Sequence, residues 1–132
     1  MIFGLGKRAK PLILHIDDDP DIVALVMAVL KGKGADGIFA YNAAEGFALA
    51  RKEKPDVILL DISMPMTDGF ETCRALKNDP KTKKIPILML TARSQMKDVE
   101  KALGSGAEGY LAKPFAVPQL LEKLGAWVTF PK

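Results

Sequence analysis

The 132-residue chain is 48% hydrophobic and 27% charged, the balance of one globular domain able to bury a core without staples. No apolar run approaches the roughly 18 residues of a membrane span, and Met1 to Lys10 places its charges after a very short apolar stretch, the reverse of a secretory signal. The +3 formal charge is scattered over Lys7, Arg8 and Lys10, Lys31 and Lys33, Arg51, Lys52 and Lys54, and Lys81, Lys83 and Lys84. These fall in the opening segment and where helices close, so neither a nucleic-acid face nor a membrane surface is expected. Residues 1–10 read as a short leader, and the protein is expected in the cytoplasm. Cys73 is the sole cysteine, which excludes an intramolecular disulfide and fits a small buried hydrophobe.

Lys10-Pro11-Leu12-Ile13-Leu14-His15-Ile16 predicts a first strand running into Asp17-Asp18-Asp19-Pro20. Asp19 before Pro20 reads as an N-cap followed by the first helical position. Ile22, Leu25, Val26, Val29 and Leu30 mark the apolar face of a helix ending near Gly34. Ile38 to Tyr41 predicts a second strand, and Asn42 caps a helix from Ala43 to about Glu53 that Lys54-Pro55-Asp56 breaks. Val57-Ile58-Leu59-Leu60 is an unbroken branched run, the habit of a parallel strand covered on both faces. It delivers Asp61 at its carboxyl end.

A helix from about Phe70 to Lys77 follows, with Phe70, Cys73 and Leu76 inward. Ile85 to Leu90 predicts the fourth strand, ending in Thr91-Ala92, and Ser94 to about Leu103 a helix stopped by Gly104 to Gly106. Gly109 to Ala112 predicts a fifth strand ending in Lys113-Pro114, and the last helix runs from about Val117 to Val128. This alternation predicts an α/β, doubly wound domain of five parallel strands and five helices, with every strand's carboxyl end on one edge.

That edge gathers the acids after the first strand, Asp61, Thr91 and Lys113. Clustered carboxylates repel, and a bound cation relieves them more readily than protonation does. The candidate ligands are all oxygens, which predicts Mg²⁺, with Mn²⁺ as a substitute. Mg²⁺ held by few carboxylates wants phosphate oxygens as further ligands. Lys113 supplies a second positive charge for them, the Thr91 hydroxyl a hydrogen bond, and Asp61 is placed as an in-line nucleophile that gives an acyl phosphate. Each residue alone has a plainer reading: Asp19 as a helix cap, Lys113-Pro114 as a turn, Thr91 as a backbone partner. On one edge and in this order they are hard to explain as caps.

The segments Ile16-Asp17-Asp18-Asp19-Pro20, Leu60-Asp61-Ile62-Ser63-Met64-Pro65-Met66-Thr67-Asp68-Gly69, Leu90-Thr91-Ala92 and Tyr110-Leu111-Ala112-Lys113-Pro114-Phe115 closely resemble the receiver (CheY-like, flavodoxin-like) domain of two-component response regulators. The resemblance runs from about Pro11 to Val128 and places a receiver over residues 11–130. It implies the strand order 2-1-3-4-5. It further implies that Asp61 accepts phosphate from a histidine kinase or histidine phosphotransfer protein. Asp18, Asp61 and the Ser63 backbone carbonyl would bind Mg²⁺ directly, and Asp17 through water. Lys113 would pair with Asp61 before phosphorylation and with the phosphoryl group afterwards, over a cis peptide to Pro114.

Thr91 would swing toward the phosphoryl group and Tyr110 would follow it inward. Ser63 and Arg93 occupy the positions that tune phosphoryl lifetime. The face read by a downstream protein would comprise the fourth helix, fifth strand and last helix, including Met96, Lys97, Val99, Tyr110 and Trp127; Trp127 is also placed to cap the core. The resemblance thus points to a phosphoacceptor signalling protein rather than an enzyme with a separate substrate. It would assist its own phosphorylation and dephosphorylation, act as a stand-alone receiver, and be monomeric or dimerise on phosphorylation. The alternative is a degenerate receiver serving as a phosphorylation-independent binding module, disfavoured because every chemical position is filled. A flavin carrier on the same fold would need a Ser/Thr/Gly-rich loop where this chain has three acids, and an aspartyl phosphatase would place its nucleophile after the first strand. A DNA-binding regulator would require a further domain.

Overall fold

The computed structural model describes residues 9–65, 67–92 and 103–131. The branched runs form β1 (Leu12–Ile16), β3 (Val57–Asp61) and β4 (Ile87–Ala92), flanked by β2 (Asp36–Ala40) and β5 (Gly109–Lys113). All pairings are parallel and the order is β2-β1-β3-β4-β5. Every residue of β1 and β3 is buried, as central parallel strands require.

Among the described residues there are four helices: α1 (Pro20–Gly32), α2 (Ala43–Glu53), α3 (Gly69–Asn78) and α4 (Val117–Leu124). The helix expected from Ser94 to about Leu103 lies, up to residue 102, outside the described residues; Leu103 and Gly104 are helical. No helix among the described residues is long and apolar enough to cross a membrane.

Alternation along the strands divides the core in two. Leu14, Ile16, Ile58, Leu60 and Met89 face Ala50, Cys73 and Leu76 of α2 and α3. Ile13, Leu59, Leu88, Leu90 and Leu111 face Val26 and Leu30 of α1 and Leu120 and Leu124 of α4. The same alternation sends His15, Asp17, Asp61 and Lys113 toward the α1/α4 side, and Thr91 toward the other.

Local chemistry sets the helix ends. The Asp19 carboxylate accepts from the amides of Asp21 and Ile22, with Pro20 opening α1, and Asn42 accepts from Glu45 to open α2. Asp68 does the same for α3 through Phe70 and Glu71. Two expectations need correction. The buried face of α1 is Val23, Val26 and Leu30, and Leu25 is 44% exposed, because the stripe set by Leu30 runs back through Val26 to Val23. The last helix stops at Leu124, where Gly125 caps it, and Val128 reaches the core from the following turn.

Candidate functional site

The carboxyl ends of β1, β3 and β5 bring four charged groups together. Asp17 is fully buried and Asp61 nearly so, while Asp18 stays exposed. One ligand oxygen from each of Asp17, Asp18 and Asp61 lies within 4.8 Å of the others. Lys113 reaches in from β5, its Nζ 2.9 Å from Asp17 Oδ2 and 3.4 Å from Asp61 Oδ2. Its peptide to Pro114 is cis. The ammonium thus bridges both acids, with the shorter contact on Asp17 rather than on the expected partner Asp61.

Each acid is held by its own loop. The Ser63 amide and hydroxyl donate to Asp61 Oδ1 at 3.0 and 2.8 Å. The Asp19 amide donates to Asp17 Oδ1 at 3.0 Å. Burial pushes the Asp61 carboxyl above its ordinary value, and the Asp17 charge adds to this against the opposing Ser63 bonds and Lys113. Asp17 goes the other way. Burial would raise it, but hydrogen bonds from His15, Lys113 and the Asp19 amide hold it well below the usual carboxylate range. Burial likewise works against the charge on Lys113, and Asp17 and Asp61 outweigh it, so its pKa rises. At neutral pH the edge therefore carries an ionised Asp17 locked to a permanent ammonium.

Thr91 is buried, and its hydroxyl donates weakly at 3.3 Å to the Ala92 carbonyl, a contact readily exchanged for a better acceptor. Tyr110 is half-buried against the α2/α3-side core, with the Lys123 Nζ 5.3 Å from its ring centroid. Trp127 is half-buried and packs on the α1/α4-side core, the capping position expected for it. Arg93, Met96, Lys97 and Val99 lie outside the described residues.

One residue at the site escaped the sequence reading. By pattern His15 belongs only to an apolar strand, yet its Nε2 lies 3.2 Å from Asp17 Oδ2 and the side chain is wholly buried. The signal was present: residues two apart on a strand share a face. A cavity of about 450 Å³ at the opposite, amino ends of β1 and β2 is lined by Lys10, Lys31 and Asp36 with Met27 and Phe39, and so lacks the converging carboxylates of the carboxyl edge.

The donor set fits a hard divalent cation, since three oxygen ligands of like charge converge and only one ammonium among the described residues offsets them. The model of the response regulator receiver domain matches residues 13–125. The chain belongs to this family. The receiver is 45% identical over 116 residues to the DNA-binding dual master transcriptional regulator RpaA of Synechocystis, covering 88% of this chain and 48% of RpaA. It is 40% identical over 114 residues to Protein PilH of Pseudomonas aeruginosa, covering 86% of this chain and 94% of PilH. The chain thus spans about half the length of RpaA and nearly all of PilH. The receiver domain of the sensor histidine kinase PA1611 from P. aeruginosa, solved with a magnesium ion coordinated in its active-site cleft, superposes with a TM-score of 0.81 at 29% identity. That match covers 90% of this chain and 98% of the other. The receiver is a signalling domain on a five-stranded CheY-like fold, as the sequence resemblance implied.

Proposed function

We propose that the receiver, residues 11–130, takes a phosphoryl group on Asp61 from a phosphohistidine of a kinase or phosphotransfer protein. The observation that carries this is the buried Asp61 carboxylate at the strand's open end, within 3.4 Å of the Lys113 ammonium and beside two further acids. In the transfer, an Asp61 oxygen forms the new O–P bond as the donor's N–P bond breaks. The nitrogen keeps the electron pair and takes up a proton. Lys113 neutralises the arriving phosphoryl oxygens, for which it needs only to shift from between the two acids. Asp18, Asp61 and the Ser63 carbonyl would hold Mg²⁺, with Asp17 acting through water, and the ion would supply further neutralisation of phosphoryl charge.

The new dianion then competes for the Thr91 hydroxyl, whose present acceptor is a poor one, and Tyr110 follows toward the vacated space. This rearranges β5, α4 and the segment before Leu103 for a downstream protein partner or a second phosphorylated copy. Ser63, already bonded to Asp61, and Arg93 tune how long the phosphoryl group survives. The basic groups remain scattered, which supports action through protein contacts in the cytoplasm rather than on nucleic acid; RpaA is DNA-binding by name, and this chain spans about half of it.

Intact-protein mass after incubation with Mg²⁺ and acetyl phosphate tests the reading. One phosphoryl group on the wild type and none on Asp61→Ala is expected. A folded wild type that gains none, from acetyl phosphate or from a cognate kinase, makes the chain a phosphorylation-independent binding module.

A further inference from the structure

His15 is wholly buried, and its Nδ1 finds no hydrogen-bond partner among the described residues. A buried N–H without a partner is rarer in folded proteins than an unpaired acceptor. The ring's proton therefore belongs on Nε2, aimed at Asp17. With it, Asp17 is held from three directions: Asp19 N–H on Oδ1, and His15 Nε2–H and Lys113 Nζ on Oδ2, at 3.0, 3.2 and 2.9 Å. Of these donors Lys113 must leave when a phosphoryl group arrives, and the Asp19 amide constrains one oxygen only. The contact that remains on Oδ2 is His15.

We infer that His15 is a positioning residue for the acidic edge: its Nε2–H fixes the plane of the Asp17 carboxylate, so that Asp17 would keep its place beside the cation site, acting there through water, when Oδ2 releases Lys113. The inference rests on the edge holding a divalent cation, as proposed above. Buried groups that orient a carboxylate from behind commonly affect metal affinity as strongly as a weak ligand does. Without His15, Asp17 Oδ2 is left with Lys113 alone, and the carboxylate loses the buried donor that would hold its orientation at the cation site once Lys113 shifts.

The experiment pairs a spectroscopic reading of the wild type with a binding series. Long-range ¹H–¹⁵N correlation of the His15 ring, the only histidine, is expected to show a protonated Nε2 and a bare Nδ1. Calorimetric titration with Mg²⁺ is expected to give binding about tenfold weaker for His15→Leu, which keeps the volume without the donor. His15→Gln, which restores an N–H near the Nε2 position, is expected to recover most of the loss. A ring protonated on Nδ1 overturns the inference, as does folded His15→Leu binding Mg²⁺ within twofold of wild type. If His15→Leu does not fold, the ring tautomer and His15→Gln decide: near-wild-type affinity for Gln supports the role, and a tenfold loss overturns it. Failure of acetyl phosphate labelling with Mg²⁺ binding intact removes the phosphoacceptor reading alone, so the two failures are separable.

Discussion

Asp17 and Asp61 are identical side chains a few ångströms apart, and the structure gives them opposite electrostatic roles. Asp17 collects donors from His15, Lys113 and Asp19, so its ionised form stabilises the fold. That stability is present above the ordinary carboxyl value of 3.8 and is lost as pH falls below it. Asp61 has a raised pKa from burial and the Asp17 charge. Its ionisation costs the folded state, a penalty absent at low pH that develops as pH rises through the folded value. In metal-free buffer at pH 7, Asp61→Asn is therefore expected to raise the urea midpoint, with the advantage shrinking as pH falls through the carboxylate range. Asp17→Asn is expected to lower the midpoint at pH 7. Equal shifts of one sign in both variants would show that cluster repulsion alone governs these residues.

At the scale of elements, the site depends on how tightly the β3–α3 loop folds under Asp61. Gly69 opens α3 where a Cβ would stand 2.5 Å from the Ile62 Cα, a backbone atom that cannot turn aside. Helix propensity favours alanine there by at most about 1 kcal/mol, while the clash requires backbone movement costing about 1–3 kcal/mol. Gly69→Ala is expected to destabilise by about 1–2 kcal/mol in urea unfolding, and to slow labelling of Asp61, since the displaced loop carries Ser63. An unchanged midpoint would mean that the loop relaxes freely. The sequence shows this loop only as part of the motif from Leu60 to Gly69. Asp68 as the α3 cap and Gly69 as the point of closest approach emerge once Ile62 is anchored to Leu90 through its amide at 3.1 Å.

Across the whole molecule, cation binding at the acidic edge would be linked to folding. The acidic edge exists only when β1, β3 and β5 are assembled, so Mg²⁺ held there as proposed, at about 100 times its Kd, would add about 2.7 kcal/mol. For a domain of this size that is a rise of roughly 10 °C in Tm. Asp18→Asn, at an exposed position outside the sheet, is expected to fold as well as wild type without metal and to lose most of the Mg²⁺-dependent rise in a thermal scan. A full rise in that variant would remove Asp18 from the ligand set.

The sequence by itself determined the doubly wound sheet, the acidic edge and its family, because these follow from local signals. Unbroken branched runs specify strands buried on both faces, Asp19 and Asn42 announce helices by the bonds they offer to nearby amides, and the motif residues stand at strand ends. Periodicity misplaced only what neighbours decide, such as the exposed Leu25 and the early stop of α4 at Gly125. The tertiary structure alone decided that Lys113, 96 residues along the chain from Asp17, bonds to it more closely than to Asp61, and that His15 stands behind them. The physical reason is that these distances depend on the register of β1, β3 and β5 across the sheet. No local pattern encodes a register between strands so far apart.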